Sequence, residues 1–92
     1  MNQSDFEAEL RREGYQVFYG GLKAGELNPD HAHDWDARVL VIGGEITLTR
    51  AGKAETFRAG DSCAVAGGEV HAEQVGPQGV AYIAGRRTAA SR

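Results

Sequence analysis

From Tyr15 onward the chain never runs far without a glycine. Its apolar residues alternate or cluster in short stretches, interrupted by Gly25 with Pro29, Gly43-Gly44, Ala51-Gly52, Ala59-Gly60-Asp61, Gly67-Gly68 and Gly76-Pro77. Glycine takes left-handed conformations cheaply and proline lacks an N–H, so punctuation this dense stops helices and leaves room only for short strands. The strands expected are Tyr15–Leu22, Asp30–Asp34, Arg38–Ile42, Glu45–Arg50, Glu55–Phe57, Ser62–Ala66, His71–Val75 and Val80–Gly85. Short strands at a spacing of about 8–12 residues, with no helices between them, predict an antiparallel all-β sandwich or barrel and argue against a βαβ sheet. Gly43-Gly44 and Gly67-Gly68 read as tight hairpin turns, and neither is followed by a helix that would make a phosphate loop.

Only the N-terminus departs from this pattern. Ser4 with Glu7 three residues later has the form of a capping box, Phe6 and Leu10 share one stripe, and Gly14 sits where a left-handed residue ends a helix. One short helix over residues 5–13 is therefore expected, and the segment 88–92 is expected to be a disordered tail. Within Arg38–Ile42, Val39 and Val41 share a face with Ala37, while Leu40 and Ile42 take the other. A strand that is apolar on both sides needs cover outside as well as inside. A second subunit or the Phe6/Leu10 helix can supply it, and a homodimer is the favoured expectation. With 92 residues the chain reads as one domain, 1–92, burying only about 60–65% of the surface that its unfolded form exposes.

Charge removes several classes of function. Ten Lys and Arg stand against thirteen Asp and Glu, a formal charge of −3, and the only basic cluster is Arg86, Arg87 and Arg92. No nucleic-acid partner is expected, and no helix-turn-helix segment fits. The longest apolar run is Val80 to Ala84, far below the ~20 residues that span a bilayer, so no membrane segment is expected. A lone Cys63 makes no intrachain disulfide, and Asp5, Glu7, Glu9 and Glu13 are the wrong charge for a secretory leader, which reads as cytoplasmic. Cys63 itself reads as a small buried hydrophobe.

The three histidines carry the chemistry. His31 and His33 sit two apart, so on a strand both imidazoles face one way, and His71 begins a later strand. Three neutral imidazoles meeting across a barrel make a facial set of nitrogen ligands for a divalent first-row metal: Fe, Mn, Ni or Zn.

A glycine frame surrounds them. Gly25, five residues, His31-Ala32-His33 and then Gly44 resembles the first cupin motif, G-x5-H-x-H-x(3,4)-E-x6-G. Gly60, five residues, Ala66, Gly68 and, two residues on, His71 resembles the second, G-x5-P-x-G-x2-H-x3-N. The resemblance, to a small single-domain cupin, covers roughly Leu22 to Ile83. It implies a double-stranded β-helix, a jelly-roll barrel, with a metal held inside by His31, His33, the first motif's glutamate and His71. Here the glutamate positions carry Ala37 and Arg38, and the proline and asparagine positions carry Ala66 and Val75.

Three arrangements follow from the missing glutamate. The three histidines can form an open site completed by waters. A carboxylate can come from elsewhere: Glu73, two residues after His71 and in phase with it, or Asp36, which needs a β-bulge to turn inward. Or the histidines are structural residues, hydrogen-bonded in a barrel mouth, and no metal binds. Glu73 and Asp36 are also the candidate proton carriers, and Trp35, Ala37 and Tyr82 are the candidate pocket lining, although such aromatics are more often simply core. The resemblance implies dioxygenase- or isomerase-like chemistry on a small organic substrate. The alternative is a non-catalytic module that binds a small molecule without metal.

Overall fold

The computed structural model describes residues 1–88. A helix, α1 (Gln3–Arg12), precedes six strands: β1 (Gln16–Leu22), β2 (Leu27–His31), β3 (Trp35–Arg50), β4 (Lys53–Arg58), β5 (Ser62–Val65) and β6 (His71–Thr88). The helix starts two residues before the expected 5–13, because the cap is Asn2 and not Ser4: Asn2 Oδ1 accepts the Asp5 N–H at 2.8 Å. Asparagine and serine cap about equally well, so the earlier residue wins the extra helical length. Gly14 closes the helix at φ +83° as its position predicts. Thr88, placed in the tail from sequence, instead ends β6 opposite Trp35; the rest of that segment, 89–92, lies outside the described residues.

Eight expected strands become six because two pairs fuse. Arg38–Ile42 and Glu45–Arg50 are parts of β3, and His71–Val75 and Val80–Gly85 are parts of β6. Each long strand crosses from one half of the molecule to the other. In the first half, residues 80–88 of β6 lie between β1 and residues 35–44 of β3, whose far edge carries β5. In the second, residues 71–75 of β6 lie between β2 and residues 46–49 of β3, whose far edge carries β4.

The crossing point is where the hairpin turn was expected. Gly43 and Gly44 pair with Ala81 and Val80, and the next pair is Ile46 with Val75, so one residue of β3 spans residues 76–79 of β6. Such a bulge bends both strands, which is how a strand leaves one sheet for another. Gly44 has φ +70°, and a Cβ there would lie 1.9 Å from the Gly79 carbonyl oxygen. Gly43-Gly44 is a corner, not a hairpin.

The core lies between the halves and draws on both: Val41, Val65 and Val80 from one, Ile46, Leu48, Phe57 and Val75 from the other. A second cluster, Phe6, Leu10, Leu40 and Ile83, seals the outer face of the first half. Of the two covers that an all-apolar strand calls for, the chain supplies the helix itself. A Cβ at Gly85 would meet Leu10 Cδ2 at 2.7 Å, so glycine lets α1 come close. Arg38 pins the helix by ion pairs to Glu9 at 2.7 Å and Glu13 at 3.0 Å, and Arg87 donates to the Glu13 carbonyl at 2.8 Å. No helix among the described residues is long and apolar enough to cross a membrane.

Candidate functional site

The ladder between β2 and β6 places the first two histidines. His31, the last residue of β2, is the register partner of His71, the first of β6. Nothing in β6 precedes His71, so β2 has no partner beyond His31 and stops there. His33 therefore lies in the connection to β3 and not on the expected strand Asp30–Asp34. It is held by other means: its carbonyl accepts the Gly68 N–H at 2.8 Å, and its ring stacks on Trp35 at 4.5 Å and 12°. The three rings still converge, with centroids 4.3, 4.9 and 5.2 Å apart and one nitrogen of each within 4.8 Å of the others.

Two tautomers are fixed by backbone carbonyls. His31 Nδ1 lies 2.7 Å from the Pro29 oxygen, and His71 Nδ1 lies 3.0 Å from the Glu69 oxygen. A carbonyl only accepts, so each Nδ1 donates and each Nε2 of the neutral ring is a bare lone pair. Both lone pairs face Glu73 Oε2, at 3.9 Å from His31 and 3.6 Å from His71, too long for hydrogen bonds. The other carboxylate oxygen, Oε1, accepts from Asn28 Nδ2 at 2.9 Å. Two imidazole acceptors and a carboxylate oxygen thus lie close together with no hydrogen bond joining them among the described residues, an arrangement that a cation satisfies. His33 is held below the usual imidazole value, first because burial disfavours its charged form and then because a proton on it would be repelled by any proton on His31 or His71; Glu73 opposes this and Arg86 adds to it.

The site opens into a cavity of about 290 Å³. Trp35, Ala37 and Tyr82 line it, as expected from strand phase, beside aliphatic walls from Leu22, Val39 and Leu48. Ala37, at the glutamate position, turns only a methyl inward, and Arg38, the next position, faces α1. The carboxylate of the site comes instead from the opposite long strand, as Glu73. Asp36 is a correction: β3 is regular from Trp35 to Val41, so the bulge that would turn Asp36 inward does not form. Its Oδ1 accepts the Gly67 N–H at 2.8 Å, its Oδ2 lies 3.7 Å from Arg87, and it has no place in the cavity.

Among the lining residues that the sequence reading did not place there, two are polar groups that bear on the site, Asn28 and Arg86. Asn28 orients Glu73, and nothing in its sequence position distinguishes it. Arg86 had a signal: it continues the alternation of Tyr82 and Ala84, which puts it on the same inner face.

Cys63 also reaches the cavity, and burial pushes its thiol up from 9.0 to about 11. Between those values the unfolded chain loses the thiol proton while the folded chain keeps it, so stability falls as pH rises from 9 to 11. Two pH units correspond to about 2.7 kcal/mol, reduced here by partial exposure to about 2 kcal/mol. Denaturant melts of wild type and Cys63→Ala across that range are expected to converge as the pH rises; parallel curves contradict it.

A family profile described as a cupin domain matches residues 18–76. The chain belongs to the cupin family. Solved structures agree on the fold. A protein of unknown function from Rhizobium leguminosarum bv. viciae 3841 is 16% identical over 83% of this cupin and 72% of that chain, with a TM-score of 0.75. An RmlC-like cupin from Shewanella frigidimarina NCIMB 400 is 25% identical over 82% of this cupin and 67% of that chain, at a TM-score of 0.66. DMSP lyase DddQ from Ruegeria pomeroyi DSS-3 is 19% identical over 79% of this cupin but only 38% of its own length, at a TM-score of 0.70. No curated protein matches this cupin by sequence. The two halves joined by β3 and β6 are therefore the double-stranded β-helix that the glycine frame implied, with its sheet left open.

Proposed function

We propose that this cupin holds a divalent transition metal, Fe, Mn, Ni or Zn, on His31, His33 and His71, and acts with it on a small organic substrate. The family includes metal-dependent enzymes. The observation that carries the reading is the meeting of two bare Nε2 lone pairs and the Glu73 carboxylate around one point. Hydrogen bonds from the far side of each ring are the outer support that metal-bound histidines need. Bound there, the metal supplies Lewis acidity at an open coordination position, as dioxygenase- or isomerase-like reactions require.

The chain's own residues do the rest. Asn28 fixes the rotation of the Glu73 carboxylate, leaving Oε2 to complete the ligand set or to take a proton from a substrate C–H or O–H and return it. Trp35, Tyr82 and the aliphatic walls exclude water from that transfer. The competing reading, a small-molecule-binding module without metal, is favoured by one observation, the methyl of Ala37 where the family pattern has a carboxylate.

Metal analysis separates the two. Protein purified without chelator and offered Fe, Mn, Ni or Zn is expected to carry close to one metal per chain, and His33→Ala is expected to carry far less. A wild-type protein that retains none of the four leaves only the metal-free module. Glu73→Gln keeps the shape and a partner for Asn28 but loses the charge; a fall of about 10–100-fold in zinc affinity is expected by calorimetry. Unchanged affinity would remove Glu73 from the site.

A further inference from the structure

One feature of the cavity has no part in holding a metal. Arg86 lines it, with its guanidinium carbon 4.8 Å over the Trp35 ring and 5.2 Å over the Phe18 ring. Among the described residues Arg11, Arg38, Arg50, Arg58 and Arg87 take carboxylate partners; Arg12, exposed on α1, and Arg86 take none, and of those two only Arg86 lines the cavity. Aromatic packing fixes a guanidinium through its faces and leaves the N–H groups on its edge to find an acceptor. Trp35 in turn stacks on His33, so the cation stands one aromatic ring away from the histidine cluster. The remaining wall is largely aliphatic and aromatic, and Glu73 is the one acidic side chain in it.

We propose that Arg86 anchors the carboxylate of a small ligand whose apolar body fills the cavity and whose other end reaches the histidines. The proposal takes the cavity as the ligand site, as in the function proposed above, and names the class of molecule it selects. The guanidinium fork matches a planar carboxylate through two parallel hydrogen bonds. One arginine balances one negative charge. A phosphate dianion calls for more donors than this wall offers. A cavity of about 290 Å³ is at the small end for a binding pocket and suits a ligand of about ten non-hydrogen atoms.

Trp35 is the only tryptophan of the chain, so its fluorescence reports this mouth alone. The probes are benzoate and its neutral isostere benzamide, titrated into metal-free protein at pH 8. Benzoate is expected to perturb Trp35 emission and to bind at least about ten-fold more tightly than benzamide, the range for charge-assisted hydrogen bonds. Arg86→Gln is expected to erase that preference and leave benzamide binding unchanged. Arg86→Lys, which keeps the charge without the fork, is expected to fall between. A parallel zinc titration of Arg86→Gln, matching wild type, shows that the histidine cluster is intact in the variant. Equal affinities for the two probes in wild type, an undiminished preference in Arg86→Gln, or no benzoate binding at all overturns the proposal. Failure of wild type to take up zinc overturns the metal reading instead, and the metal-free titration still decides the role of Arg86.

Discussion

Gly44→Ala is expected to lower the melting temperature by about 8–40 °C, and in a marginal preparation to leave the protein unfolded. Two separate costs meet at this residue. Its φ of +70° is the left-handed region, where a Cβ costs roughly 1–2 kcal/mol. The added methyl would also lie 1.9 Å from the Gly79 oxygen, 2.8 Å from the Gly79 carbonyl carbon and 3.1 Å from Val80 Cα, all backbone that cannot rotate away. Moving two paired strands apart at their common corner compares with overpacking a core, about 1–3 kcal/mol. The sum, about 2–5 kcal/mol, is a large share of the 5–15 kcal/mol that holds a domain together. At about 4–8 °C per kcal/mol it gives the predicted shift. Gly52→Ala is the control: φ is +75° there, but nothing lies within 4 Å of the new methyl. It is expected to lose only the conformational part. Melting curves in which both variants fall equally would show that the strands do not touch at Gly44.

The same corner shows where the sequence stopped being legible. Glycine marked the bend at Gly43-Gly44 and at Gly76-Pro77 correctly, since both positions break regular pairing. It could not say whether the chain reverses there or carries on into the other half of the sheet, because a hairpin turn and a bulge both draw on residues at positive φ. That choice is made by the partner: β3 and β6 bulge opposite one another, and neither segment shows this alone. Strand phase, by contrast, depends only on period two and survived the error. Ala37, Val39 and Val41 face inward, Leu40 faces α1, and Tyr82 lines the cavity, all as read. Glu73 was legible for the same reason, two residues from His71 on one strand. Asp36 was not, since its place depends on a Gly67 N–H that reaches it from a distant turn. His33 reaches the cluster although β2 ends at His31, because stacking on Trp35 and the Gly68 hydrogen bond replace the missing ladder. Arg86 was read only as part of a basic cluster, which hid its alternation with Tyr82.

Removing His71 is expected to abolish metal-dependent stabilisation altogether. Of the three imidazoles it is the most enclosed, at 2% exposure, and its Nε2 is the nearer of the two that face Glu73 Oε2. Replacing an outer partner of a metal ligand already costs about 10–100-fold in affinity, so deleting the ligand itself should cost more than about 100-fold. Zinc at a hundred times its dissociation constant stabilises a folded protein by about 2.7 kcal/mol. For a chain of this size that raises the melting temperature by about 10–20 °C, and chelator reverses it. His71→Ala at the same zinc concentration is then near or below its own dissociation constant and should gain almost nothing. A purely structural histidine makes a different pattern. It would lower the melting temperature by losing its bond to the Glu69 carbonyl and its packing, yet zinc would move the wild type no more than the variant. The decisive quantity is therefore the zinc-induced shift in each protein, not the stability of either. A shift of the same size in wild type and His71→Ala would place any bound zinc outside the barrel and leave the histidines as structural residues.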